Sequence, residues 1–419
     1  MNQSPSFELP ASYKKWTMGL IAAGVIALLY GLIMFHPFDH ASHGENINST
    51  RFWAVLLQNS VFWLLLVNAS MFFIGFTTLA MGGWQVALRR VPEAISSVVP
   101  VLGLITFLIL MTLVWGGRTD IYHWTDPTLY DTNSPNFDKI LNGKKGFLNP
   151  VFFSVWSAFT IFLWWFIGRK MRSFSLESDK MGPMDYETGK TWVNKNILWA
   201  SFFIVFFGLT VGSTIPWLWI MSIDSHWYST MFSWYTFASS FVAGMSLIAL
   251  FVIFLKNRGQ LEYVTDEHLH DVGKFMFAFS IFWTYLWFSQ YMLIWYANIP
   301  EETGYFKTRV QGAYRGIFFL NLVLNFACPL LIFMKKSTKR NWTLVTFMAV
   351  LIIFGHWIDF WQMVMPGTLH DHGEIMPFEF GIAALFIGII MWRVGVYLSS
   401  YPLTAKNHPF LKESMIHHT

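Results

Sequence analysis

Ten stretches of this sequence stay apolar for about 18 residues or more, and that pattern constrains the fold more than any motif in the chain. A hydrocarbon layer about 30 Å thick is crossed by roughly 20 helical residues, and only a helix or a closed barrel satisfies its own backbone hydrogen bonds there. The stretches are 16–35, 52–81, 98–115, 151–168, 197–221, 231–255, 273–298, 313–334, 342–365 and 377–400. The expected fold class is an all-α polytopic membrane protein of ten transmembrane helices, a single integral membrane domain over 1–419 with a tail over 401–419. Helices two to five (52–221) and six to nine (231–365) are numerous enough to form two four-helix bundles.

Charge content agrees. Asp, Glu, Lys and Arg make up 12% of the 419 residues, about half the share of a soluble protein, too few to cover a water-soluble surface of this size. A single cysteine, Cys328, excludes a disulfide framework, a zinc site built from thiolates and an iron–sulfur cluster, each of which takes several. The formal net charge of +4 is small and dispersed, so nucleic acid is not an expected partner. The positions of the charges say more. With the N-terminus inside, 20 of the 28 Lys and Arg residues fall on the inner side, and the positive-inside rule then puts both termini in the cytoplasm. The inner set includes Arg89, Arg90, Arg172 and Arg393, whereas Arg51, Arg118, Arg309 and Arg315 count among the outer ones.

The first stretch follows Lys14 and Lys15 and ends at Phe35, His36 and Pro37 with no small-residue cleavage site, which reads as a retained helix rather than a signal peptide. The connection 116–149 is rich in Asp, Asn, Gly and Pro and reads as an outer loop able to touch an extramembrane partner. Asn149 with Pro150, and Pro377 with Glu379, look like helix starts. Pro100, Pro216 and Pro329 fall inside apolar stretches, where they are expected to kink the helix.

An ionisable group in a bilayer is expensive unless it is paired or faces water, so function is sought among the few that occur there. His356 and Asp359 in the ninth helix are three apart and share a face, in the outer half of the membrane. Histidine titrates near neutral pH, so such a pair can pass a proton or hold the two ends of a quinol head; as plain polar glue it would only join helices. Glu379 is a candidate to extend that chain to the outer water, against its role in the first turn of the last helix, where the helix dipole favours a carboxylate. Arg315 is a candidate partner for Asp359 or a quinone oxygen, against the ordinary snorkelling of an arginine at a helix end. Asn321 with Asn325, and Asn59 with Asn68, read as braces between helices. The inner halves show almost no titratable group apart from Arg393 and Lys274, so an outer half-channel is the most that the acids support.

Two outer loops carry mixed metal-binding side chains, His36, Asp39, His40 and His43 in one and His370, Asp371, His372 and Glu374 in the other. Neither spacing belongs to a known metal fold, so solvated loops are the default. A haem held by two histidines needs two intramembrane imidazoles, and only His356 is deep enough. No cofactor is therefore expected on this chain, and the 22 Trp residues are assigned to interfacial belts and helix packing.

The stretch from Phe282 through Trp283, Thr284, Tyr285, Leu286 and Trp287 to Glu301-Glu302-Thr303 strongly resembles the seventh helix and following loop of the NrfD-like membrane subunits of alternative complex III, the bacterial quinol:cytochrome c oxidoreductase. The ten-helix plan, the segment from Arg172 to Lys180 and the segment from Gly355 to Pro366 are also similar to that family. The likeness covers nearly the whole chain and is greater to the second, smaller of the family's two membrane subunits than to the larger, quinol-oxidising sister. It implies two four-helix bundles with 16–35 and 377–400 as peripheral helices, and no prosthetic group on this chain. It also implies menaquinone or ubiquinone as the quinone, in a bacterial cytoplasmic membrane. The partners it implies are the sister NrfD-like subunit, a pentahaem cytochrome c, an iron–sulfur protein and a monohaem cytochrome c, which carry the haem c and iron–sulfur clusters. The sister's pattern resembles a Trp-x-Glu-Arg core, where this chain has Asp359 followed by apolar Phe360. That substitution leaves a proton-conducting or structural role more open than quinol oxidation.

The leading expectation is a non-redox membrane subunit of a respiratory quinol oxidoreductase, supporting assembly, with His356 and Asp359 in an outer proton half-channel or quinone pocket. The alternative of a different class is a secondary transporter coupled through the same buried pair, although no central Gly/Pro break is obvious. A scaffold that seats extramembrane subunits is the third reading.

Overall fold

The computed structural model describes residues 7–38 and 46–418, which form helices and turns, with no strand among them. The long helices are α1 (Ala11–Met34), α2 (Ile47–Leu79), α3 (Arg90–Trp115), α4 (Pro150–Met181) and α5 (Tyr186–Ile223). They are followed by α6 (Met231–Lys256), α7 (Asp266–Ala297), α8 (Gly312–Phe333), α9 (Trp342–Leu369) and α10 (Pro377–Ser400). Nine of them, all but α7, are long and apolar enough to cross a membrane. The chain is thus a polytopic helical membrane protein. α7 is 32 residues long, and its mean hydropathy is lowered by the Gln290 amide and by Trp283, Tyr285, Trp287 and Tyr291, whose rings are large and apolar but carry polar tips.

Local chemistry fixes where the helices begin. Asn46, Asn149 and Asn341 each accept a hydrogen bond from a backbone N–H in the first turn of α2, α4 and α9, and Pro150 and Pro377 occupy first helical positions where no N–H is needed. The expected kinks take a definite form. In α5 and α8 the helix widens by one residue over Thr210–Thr214 and Val323–Ala327, just before Pro216 and Pro329, which relieves the clash of each proline ring with the preceding turn. Pro100 instead sits at the start of the second segment of α3, after a turn at Ser97 and Val98.

α2 and α6 are the most enclosed, with 83% and 89% of their apolar windows buried. α2 contacts α3, α5, α6, α9 and α10; α6 contacts α2, α5, α7 and α9; and α8 lies between α7 and α9. Small side chains let the centre close: a Cβ on Gly244 of α6 would lie 2.9 Å from both the Cβ of Ala69 and the carbonyl oxygen of Leu66 on α2. α1 and α10 pair along their length, with Gly24, Gly381 and Gly388 at the points of closest approach. The connection between α3 and α4 is more structured than a plain loop. A short helix, Lys139–Lys144, is capped by Asp138, and Tyr122 donates to the Trp219 carbonyl oxygen at 2.7 Å. This end is called the loop face below. The opposite end, the tail face, is covered by residues 401–418, where the short helix Leu411–Met415 packs on residues 83–87.

Candidate functional site

His356 and Asp359 lie one turn apart on the same face of α9, and both are fully buried. Asp359 is about 25 Å along the helix from Trp342. Four side chains from three neighbouring helices converge on its carboxylate. Asn321 of α8 donates to Oδ1 at 2.8 Å, Trp283 of α7 and Ser239 of α6 donate to Oδ2 at 2.8 Å each, and the Tyr235 hydroxyl of α6 donates to Oδ1. Four donors match the acceptor capacity of an ionised carboxylate. The indole and amide N–H groups cannot turn round to accept, so a proton on Asp359 must be directed at Tyr235 or Ser239.

Ser239 joins the acid to the imidazole. Its Oγ is 2.9 Å from His356 Nδ1, whereas Asp359 Oδ2 is 3.8 Å from the same nitrogen. With the serine proton on Asp359, Nδ1–H donates to Ser239 and the neutral ring carries its lone pair on Nε2. His356 Nε2 has no hydrogen-bond partner. Asn325 donates to the Oδ1 of Asn321 at 2.5 Å and holds that amide with its nitrogen toward Asp359. Gly355 makes room for this, since a Cβ there would collide with Asn325 Oδ1.

On the loop side of Tyr235 lies a cavity of about 20 Å³, bordered by Gln290, Tyr305, Arg309 and Gln362. That is room for one water. Gln290 is nearly buried and its Nε2 has no partner. Arg309 is 3% exposed, lies 3.4 Å above the Tyr305 ring and donates to the Gln362 carbonyl oxygen at 3.0 Å. Pro366, four residues further on in α9, has no N–H to offer that carbonyl, and Arg309 takes its place. A much larger apolar cavity lies elsewhere. It measures about 530 Å³, lies against α10 and is lined by Trp63, Phe251, Phe354, Trp357 and Phe380 without His356 or Asp359. The indole nitrogens of Trp63 and Trp357 are both directed at Asn59 Oδ1, so the cavity wall is almost wholly apolar.

The other candidate residues are not brought to this network. Glu379 pairs with Arg51 at 2.9 Å and accepts from the Met376 N–H at 3.0 Å, which makes it the cap of α10 and the anchor of Arg51. Arg51 also holds the carbonyl oxygens of His372 and Glu374. Arg315 is exposed at the start of α8. Asn59 braces α2 against α9 through Trp357, while the buried Asn68 amide has no partner. Of the loop histidines, His36, His370 and His372 are described, and Asp39, His40 and His43 lie outside the described residues. No group of three or more His, Cys, Asp or Glu suited to a metal ion forms among the described residues.

The expectation that the inner halves hold almost no titratable group is corrected. The helix of α3 reaches back to Arg90, and there Glu93 accepts from Arg89 and Arg90 at 3.0 Å each, all three residues being at least 98% buried. Arg90 also pairs with Asp179, and Arg172 donates to Ser96 Oγ at 2.8 Å. The spacing of two arginines three and four residues before a glutamate was a readable sign of this cluster. Tyr235 and Ser239, four apart on α6, carried a weaker one. No protein-family model matches this chain, and no curated protein is similar to it.

Proposed function

We propose that this chain is a non-redox, proton-handling membrane subunit of a respiratory quinol:cytochrome c oxidoreductase, of the NrfD-like kind that its α7 stretch resembles. One observation carries the proton-handling part: a buried Asp359 is joined through Ser239 to a buried His356 whose outer nitrogen is unpartnered. A proton received from the loop side at Tyr235 passes to Asp359; with the neutral ring carrying its hydrogen on Nε2, Asp359 then gives a proton to Ser239 as Ser239 gives its own to Nδ1, which leaves a carboxylate and an imidazolium. The loop-side cavity has room for a single water between Tyr235 and the Gln290 amide. It is too small for a quinone ring, and the larger apolar cavity offers no free polar group to hold quinone oxygens, which favours proton transfer over quinol binding at this site.

In this reading α7 completes a set of ten spans, α2–α5 and α6–α9 form two four-helix bundles, and α1 with α10 stands at the periphery. Both termini face the cytoplasm of a bacterial cell, and haem c and iron–sulfur partners seat on the opposite side. The test is to purify the tagged chain from its own membranes in mild detergent, with mass spectrometry of the co-purifying chains and a reduced-minus-oxidised visible spectrum. Co-purifying c-type haem and an iron–sulfur protein support the reading, and the Asp359→Asn complex is then expected to keep its partners and lose proton uptake. A colourless, solitary chain overturns the reading.

A second reading, a proton-coupled secondary transporter, is favoured by one feature. The widened turn Val323–Ala327 interrupts α8 beside Asn321 and Asn325, within the Asp359 network, and transporters place their sites at such interruptions. Proton-driven solute uptake by the solitary chain in vesicles, abolished in Asp359→Asn, distinguishes it.

A further inference from the structure

A cavity of about 460 Å³ opens between α3, α4 and α10 toward the tail face, apart from the Asp359 network. Its lining is cationic: Arg169 and Arg172 of α4 and Arg393 of α10 meet there beside Tyr397, Tyr401 and Ser97, and no carboxylate takes part. Arg172 is 9% exposed and gives one nitrogen to Ser96. Arg169 lies over the Trp165 ring at 5.6 Å. Two buried or half-buried carboxylates of this face, Glu93 and Asp179, are engaged by Arg89 and Arg90, and among the described residues no ion pair forms to Arg169, Arg172 or Arg393. Tyr397, which lines the cavity, is 6% exposed and its hydroxyl has no hydrogen-bond partner.

Depth identifies the anion. α4 and α10 both start at the loop face, at Pro150 and Pro377, and a rise of about 1.5 Å per residue puts Arg169, Arg172, Arg393 and Tyr397 roughly 24–33 Å further on. That is where a hydrocarbon layer of about 30 Å gives way to headgroups. One or two helical turns from lining residues Pro100, Arg169 and Val396, toward the loop face, Leu104, Phe162, Phe166 and Trp392 are apolar and exposed, a surface for acyl chains. Guanidinium forks match phosphate oxygens, and the idle Tyr397 hydroxyl supplies a further donor.

We propose that this cavity binds the phosphate group of an acidic phospholipid. The shared chemistry is a phosphate anion, and the depth assigns it to a lipid rather than to free phosphate. Three guanidinium groups around one phosphate leave positive charge over, which favours an anionic headgroup and disfavours one bearing its own ammonium.

The full chain, purified in mild detergent, is titrated by native mass spectrometry with phosphatidylglycerol, phosphatidylcholine and inorganic phosphate in separate arms. The expected result is binding of phosphatidylglycerol roughly tenfold or more tighter than phosphatidylcholine, with the preference lost in Arg169→Gln/Arg393→Gln, neither of which anchors the fold. Tyr397→Phe, which removes only the hydroxyl, is expected to weaken phosphatidylglycerol a few-fold and leave phosphatidylcholine unchanged. Equal binding of the two lipids to the unaltered chain, or a preference that survives the double substitution, overturns the site. Binding of inorganic phosphate with no lipid preference overturns the lipid assignment.

Discussion

Asp359 and Glu93 are both acids fully enclosed in the bundle, yet they are held in opposite ways. Glu93 is surrounded by guanidinium groups, one from Arg89 and one from Arg90, in a cluster that fixes α3 to α4 through Asp179 and Arg172. Asp359 has only neutral donors on its oxygens, and the imidazole that shares its face of α9, His356, stands behind Ser239. A carboxylate fixed by guanidinium groups that never lose their protons is a structural joint. A carboxylate fixed by hydroxyls that both give and take protons, with an imidazole in series, can change state without dismantling its surroundings. Burial alone therefore does not mark a functional acid; the kind of partner does.

The comparison is most severely tested at Glu93. Replacing it with Ala leaves two buried arginines without their nearest counter-charge, and the expected loss is about 3–5 kcal/mol of stability. Thermal or chemical unfolding of the purified chain measures it, and a loss below about 1 kcal/mol would mean that water already reaches the cluster.

Asp359→Asn is the matching substitution at the other acid. The shape is kept, but two of the four donors then meet an amide nitrogen instead of an oxygen, and of those two only the hydroxyl can turn round to accept, so the expected loss is about 1–3 kcal/mol with the fold intact. If it destabilises as much as Glu93→Ala, the distinction between joint and relay fails.

The Asp359 site was half visible in the sequence. An Asp in the middle of an apolar helix is rare enough to stand out, and the three-residue spacing put His356 on its face. The other donors were not visible, because Tyr235, Ser239 and Trp283 are ordinary residues in apolar helices, and only the packing of α6 and α7 against α9 turns them toward the acid. Asn321 was expected to brace helices and does so through Asp359 itself. The arginine cluster was misplaced for a different reason: a charged residue just outside an apolar window counts as solvated in any reading of hydropathy, whereas α3 starts eight residues earlier than the window, at Arg90, and takes its charges inside. Arg309 was hidden in the same way, since only the contact with Gln362 shows why Pro366 needs an arginine from another segment.

Arg309 sharpens the comparison further, being a buried cation whose closest acceptors are carbonyl oxygens, with Asp224 at 3.4 Å. Arg309→Lys keeps the charge but loses the flat stacking on Tyr305 and the Nε–H directed at Gln362, for an expected loss of about 1 kcal/mol. The check is twofold: a small fall in unfolding temperature, and altered Tyr235-side proton uptake, because Arg309 borders the water-sized cavity.

The smallest expected effect is a local one at the tail face, where two buried histidines hold residues 401–418 in place. His268, ahead of the apolar part of α7, is depressed to about 4 by burial and then by the charge of His417. Its Nδ1 accepts from the Thr265 N–H at 3.2 Å, so Nε2–H points to Ser414 Oγ at 3.2 Å, and Ser414 in turn holds the Trp84 carbonyl oxygen at 2.5 Å. His408 is pushed well below the ordinary range by burial and then by Arg89 and Arg90. Both imidazoles are thus neutral when docked, and the unfolded tail binds more protons than the docked one. The contribution of His268 is present in full above about pH 6.5 and is lost as the pH falls from there toward about 4, and that of His408 is lost in the same direction. Amide exchange over residues 404–418 is expected to be slow at about pH 7.5 and to quicken relative to the membrane core at about pH 5, after correction for intrinsic rates. His268→Gln is expected to remove the part of that dependence carried by the Ser414 contact. Protection that does not change with pH would show that the tail is held by the apolar contacts of Ala405 and Leu411 with Val86 alone, and that titration matters only at the Asp359 end of the molecule.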